Sequence, residues 1–135
     1  MTVMEALGQY LRDEATATRA AVGSRSYWVY APTNATLPYI QFRLQSSRRM
    51  AIATADVHAP EESVIELVCL ASSQAAAWAV ADAVLTDLDG LAQVIPTGGS
   101  VRIKRCYCAD KSDLLSEAAL EEGIFAVSLS FQIVS

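Results

Sequence analysis

The clearest pattern in the chain lies near its end. From Ile124 to Val134 apolar and polar positions alternate, with Phe125, Val127, Leu129, Phe131 and Ile133 on one side. Ala126, Ser128, Ser130 and Gln132 fall on the other, the period of a half-buried strand. Tyr39 to Ser46 alternates in the same way, with Ile40, Phe42 and Leu44 against Gln41, Arg43 and Gln45. Ser63 to Ala71 is a nearly continuous apolar strand carrying Glu66. Tyr27-Trp28-Val29-Tyr30 reads as a short aromatic strand, followed by a loop from Pro32 to Pro38. Val101 to Ala109 reads as another long strand, with Val101, Ile103, Arg105 and Tyr107 facing one way.

Two segments have helical spacing. The first runs from Thr2 or Val3 to Val22, with Leu7, Leu11, Thr18 and Val22 on one stripe and Val3 and Tyr10 beside it. Thr2 and Glu5 have capping-box spacing, and Gly23 supplies a C-terminal stop. The second is capped by Ser72 or Ser73 and runs to about Leu88, where Asp89-Gly90 ends it. Its face is Trp78, Ala81, Val84, Leu85 and Leu88, and its many alanines favour helix and allow close approach to a sheet. Gly98-Gly99 marks a turn. Ser47 to Pro60 has no period and reads as a partly extended arm. Asp110 to Gly123 reads as an acidic connection with one helical turn at most.

The order helix, strand, strand, strand, helix, strand, strand predicts one α+β domain over residues 1–135. It is a two-layer sandwich: a mostly antiparallel sheet of four to five strands, with two helices packed on one face. The other face, with Gln41, Arg43, Ser128, Ser130 and Gln132, is left mildly polar.

At 135 residues, 53% hydrophobic and 19% charged, the chain is long enough for a real core and too apolar for disorder. A net charge of −5 argues against electrostatic nucleic-acid binding, and Arg48-Arg49 is too small a basic patch to change that. No apolar run reaches a membrane span, and the N-terminus lacks the basic and apolar regions of a secretory signal. Cys69, Cys106 and Cys108 are odd in number and fall in strand-like runs. They read as reduced thiols that pack as small apolar groups in a cytoplasmic setting.

Few residues offer chemistry. His58 is the one histidine, it sits in the irregular arm, and no Gly-x-Ser-x-Gly elbow is present. Asp56 and His58 with Glu61 and Glu62 have the residue types of metal ligands but lack the converging set that a site needs, and read as an exposed polar loop. Thr97-Gly98-Gly99-Ser100 precedes a strand and not a helix, so it is no phosphate loop. Neither catalytic residues, nor a metal, nor a cofactor is expected. Charge distribution is more informative. Residues 1–55 hold six basic and three acidic residues; residues 56–135 hold four basic and twelve acidic. That asymmetry fits either pairing within the chain or head-to-tail association between copies, a contact that closes into a ring when its rotation permits.

The element order resembles the phage tail-completion family, the small tail-terminator and head–tail joining proteins of long-tailed phages. The resemblance is carried by the N-terminal helix ending in Val22-Gly23, by Tyr27-Trp28-Val29-Tyr30, and by the Pro-rich loop into Leu37-Pro38-Tyr39-Ile40. It continues through the strand Val64 to Ala71, which leads directly into the helix Ala75 to Leu88, and through the terminal strand Phe125 to Ile133. It implies a structural virion protein forming a ring, typically hexameric, that caps the head-proximal end of the tail tube and meets the head connector. Its partners are then itself, the tube protein and the connector, with no sequence-specific nucleic acid and no membrane. Its location is host cytoplasm during assembly and the virion afterwards. Expected interface residues are Arg43, Arg48, Arg49, Asp56, His58, Glu61 and Glu62. The alternatives are a head–tail adaptor and, from a different class, a small-molecule-binding domain using the helix–sheet crevice near Trp78.

Overall fold

The computed structural model describes residues 2–49, 60–114 and 122–135. The first helix starts where the capping signal places it. The Thr2 hydroxyl accepts from Glu5 N–H at 3.2 Å, and the Glu5 carboxylate accepts from Thr2 N–H at 3.0 Å. Helix α1 (Val3–Asp13) then stops, and α2 (Thr16–Val22) begins after a break at Glu14-Ala15. The long single helix expected over residues 3–22 is therefore two. Ala15 N–H donates to Tyr10 O at 2.9 Å, one residue beyond helical register, and Ala15 offers no side-chain cap. The missing cap comes from α3 (Gln74–Leu88): Asp87 accepts from Ala17 N–H at 3.3 Å and from Thr18 N–H at 2.6 Å. Gly23, at φ 63°, ends α2, a backbone angle glycine adopts without a Cβ clash.

Strands β1 (Ser26–Trp28), β2 (Tyr39–Arg49), β3 (Glu61–Ala71), β6 (Arg105–Leu114) and β7 (Phe125–Val134) form one sheet in the order β1-β2-β3-β7-β6. All neighbours are antiparallel except β1 and β2. Strands β4 (Val94–Ile95) and β5 (Val101–Arg102) make a separate small hairpin around the Gly98-Gly99 turn. The expected α+β architecture holds, with three helices on one sheet face.

The register follows the alternation. Ile65, Leu67 and Cys69 on β3 lie opposite Phe131, Leu129 and Val127 on β7, and all six are buried. Ile40 and Phe42 join them from β2. Above this layer α3 contributes Ala77, Val80, Ala81, Val84 and Leu88, and α1 contributes Leu7 and Leu11. Helix α1 comes close to the sheet at Gly8, where an added Cβ would stand 3.0 Å from the Phe42 ring. Ser73 caps α3 by accepting from Ala76 N–H at 3.1 Å.

Three expectations change. Residues Ser47–Arg49 are not irregular but extend β2, opposite Glu61–Ser63 of β3. The strand expected over 101–109 is two pieces. Val101 and Ile103 pack with the small hairpin, the chain bends at Lys104, and β6 then buries Cys106 in place of Arg105 and Tyr107. Finally, Asp110–Leu114 is not a connection; it continues β6 opposite Ala126–Ser130. The arm tip 50–59 and the segment 115–121 lie outside the described residues.

Candidate functional site

The titratable groups divide into those that hold the fold and those that face solvent. Cys69 is fully buried, and burial pushes its thiol up to about 12. Cys106 is buried in the same core, and burial, with Asp89 and Cys108 adding to it, also raises its thiol to about 12. Cys108 is shifted upward too, chiefly by burial. Thiols so placed stay protonated at neutral pH and are poor nucleophiles. Several acidic residues act as tertiary caps. Asp113 accepts from Trp78 Nε1 at 2.8 Å and from Gln74 Nε2 at 2.6 Å. Asp89 accepts from Cys108 N–H at 3.1 Å, and Glu14 accepts from Thr97 N–H at 2.8 Å. Their sequence signal is faint, because each partner lies between 19 and 83 residues away.

A groove of about 510 Å³ lies where β2, β3 and β5 meet the N-terminus of α1. Val3, Met4, Leu44 and Val101 give it an apolar floor, and Glu61, Arg102 and Lys104 rim it. Ser47 donates its hydroxyl to Glu61 there, and Ser63 lies 3.5 Å from the Ser47 oxygen. Trp78 and Leu85 of α3 are partly buried and pack against the core side chains between α3 and the sheet. Among the described residues, no three His, Cys, Asp or Glu side chains converge as metal ligands. No helix there is long and apolar enough to cross a membrane.

The expected interface residues separate into pairs. Arg43 donates to Glu66 at 3.1 Å, and Gln45 donates to the other Glu66 oxygen at 3.0 Å. Arg48 lies 3.2 Å from Glu62, and Arg49 stands opposite Glu61 in the register. The Arg43 and Arg48 side chains are 60% and 76% exposed. Such pairs contribute well under about 1 kcal/mol each, so exchanging partners costs the fold little. Asp56 and His58 lie outside the described residues. The two halves of the sequence interleave in one sheet through these pairs, so the charge asymmetry does not divide the surface by halves. It divides it by ends. Arg48, Arg49, Arg102, Lys104 and Arg105 gather at one end with Glu61 and Glu62. Toward the other, β6 presents Asp110 and Asp113 with Lys111, and Glu122 lies in the turn before β7.

The sheet face opposite the helices carries Gln41, Arg43, Glu66, Ser128, Ser130 and Gln132, with Val64, Val68 and Leu70 from β3 among them. Tyr107 hydrogen-bonds Gln132 on this face, and the Arg105 guanidinium sits 5.0 Å from the Tyr107 ring centre. Sequence patterning missed the exposed knuckle at the end of β1. Trp28, Val29 and Tyr30 are 47%, 46% and 82% exposed. Tyr30 N–H donates to Trp28 O at 3.0 Å across Val29, whose φ is 74°. That is a strained turn for a β-branched residue. A run of four large side chains is equally consistent with a buried strand, so only the backbone angle separates the two.

No protein-family model matches the sequence, and no curated protein matches it. Among solved structures, a chain of the virion of a native gene transfer agent particle is similar in fold. It is 22% identical, with a TM-score of 0.71, over 98% of this chain and 92% of that one.

Proposed function

We propose that this chain is a structural virion protein that assembles into a ring, terminates the tail tube and joins it to the head connector. The observation that carries this reading is the likeness of nearly the whole chain to a virion chain of a gene transfer agent particle. The site chemistry supports it. The Cys69 and Cys106 thiols are buried and protonated, and the acidic groups Asp87 and Asp113 are engaged in caps and tertiary hydrogen bonds. What remains at the surface is suited to contact: a polar sheet face, an aromatic knuckle and opposite charge at the two ends of the sheet. On this reading the protein is not an enzyme and needs no cofactor. Its residence is the head-proximal end of the tail, and its partners are copies of itself, the tube protein and the connector.

Incubation with growing tubes of the cognate tube protein tests the assignment. A terminator stops elongation and leaves a ring at one tube end in electron micrographs. Binding to heads without any effect on tubes makes the protein an adaptor instead. Binding to neither removes the tail assignment.

A further inference from the structure

Two stretches of strand leave the sheet with unpaired edges. Ile40 N–H donates to Arg25 O at 3.0 Å, and Phe42 O accepts from Val29 N–H at 2.9 Å. The turn at Val29 then carries the chain off β2. Backbone groups alternate sides along a strand. Past the bulge between Leu44 and Ser46, Ser46 and Arg48 face β3, and the backbone of Ser47 and Arg49 points outward. Among the described residues these outward groups meet no backbone partner. On the opposite edge, Gly90 N–H donates to Cys106 O at 2.8 Å, and Asp89 occupies the Cys108 N–H. Past the bulge between Cys108 and Asp110, the outward backbone of Lys111 and Asp113 is likewise without a partner there.

The free segments match. Each is six residues long, 44–49 on β2 and 109–114 on β6, about 20 Å at the rise of a strand. The strands run in opposite directions, so two copies side by side in the same orientation bring them together antiparallel. The segments lie at opposite ends of the sheet, and joining them staggers neighbours by about five residues, roughly 17 Å. A stagger of this kind is what a closed sheet of inclined strands requires. Charge selects the pairing. Arg48 and Arg49 give one segment a net charge of +2, and Asp110 and Asp113 with Lys111 give the other a net charge of −1. Like edges repel, and bulges and charges are the devices that keep an edge from pairing with its own kind. Unlike edges attract.

We propose that residues 44–49 of one copy add to residues 109–114 of the next, making one continuous sheet around the ring. The partner is a second copy of this chain, and the contact is head-to-tail. This rests on the ring reading above and goes further by naming the surfaces that build the ring.

Proline removes a backbone N–H, so it discriminates between outward and inward positions. In Ser47→Pro and Lys111→Pro the lost N–H points away from the sheet, and circular dichroism should show a folded chain. Mass photometry should find each variant monomeric where the wild type forms rings, either free or on tubes. Mixed together, the two variants retain one intact edge each and should form a 1:1 dimer and nothing larger. Rings from either variant alone overturn the edge assignment and leave the ring reading standing. Homodimers of Ser47→Pro show like edges pairing and overturn it as well. A wild type that is monomeric at every concentration, with and without tubes, removes the ring reading and this proposal together. If a proline variant fails to fold, hydrogen exchange on the unmutated chain decides the same question. The Ser47, Arg49, Lys111 and Asp113 amides should slow by at least about tenfold on assembly. Unchanged exchange at these four in an assembled sample contradicts the proposal.

Discussion

The centre of the sheet and its two outer corners obey different rules. Strands β3 and β7 are paired on both edges and covered by helices on one face. Burial alternates unbroken from Ser63 to Ala71 and from Val127 to Val134, with Ala126 buried and Phe125 only partly so. The outer parts of β2 and β6 are paired on one edge, interrupted by a bulge and exposed from Leu44 and Ala109 onward. In the centre, burial dictates which residue type each position takes. At the corners the outer edge of each strand has no backbone partner among the described residues, so that edge is free to serve a contact outside the chain.

The sharpest way to break this comparison is at adjacent residues of one strand. Phe131→Ala should cost about 3–5 kcal/mol in chemical denaturation, because the ring is fully buried. Ser130→Ala on the open face should be nearly silent in the monomer. Equal effects at the two positions would show the face assignment to be wrong.

The buried thiols of β3 and β6 give the core a pH signature. Cys69 and Cys106 keep their protons in the folded chain up to about 12, whereas a free thiol loses its proton near 9. The folded state thus holds more protons than the unfolded state between those limits. Stability is fully present below about pH 8 and falls as pH rises from 9 toward 12. Each thiol contributes at most about 1.4 kcal/mol per pH unit. Thermal unfolding of a Cys69→Ala, Cys106→Ala variant should show a shallower alkaline decline than the parent. An identical decline removes the thiols from the explanation. Tyr10, raised first by burial and then by Asp87, Glu14 and Cys106, contributes in the same direction in both chains.

A smaller effect is expected at Asp87, which caps α2 across the interhelical contact. Asp87→Ala leaves two α2 N–H groups without their acceptor and should cost about 1–2 kcal/mol. The smallest change in fold stability belongs to the corner. Arg48→Glu with Arg49→Glu should shift unfolding by less than about 1 kcal/mol, since the Arg48–Glu62 pair is solvent-exposed. The same double variant should lose assembly. Intact assembly in it would remove these arginines from the contact.

Legibility in the sequence follows the same division. The register of β7, the Ser73 cap and the Thr2–Glu5 box can be read directly because they depend on neighbours in the chain. The break at Ala15 cannot, because its cap, Asp87, is some 70 residues away. Nor can β6, where Asp110-Lys111-Ser112-Asp113 has poor strand propensity and is held extended by pairing with β7. The phase change near Lys104 is hidden for a related reason: Val101 and Ile103 serve the small hairpin, and Cys106 serves the main sheet. Of the candidate surface, Arg43, Arg48, Glu61 and Glu62 are visible as charges on a strand or arm. Their mutual pairing, the free edges and the knuckle at Trp28–Tyr30 depend on topology that residue types do not record.

Electron microscopy of cognate tail tubes polymerised with and without this protein tests the central claim most directly. Tubes of bounded length carrying a ring at one end are the predicted result. Tubes that elongate unchanged, alongside a protein that remains monomeric, would contradict it.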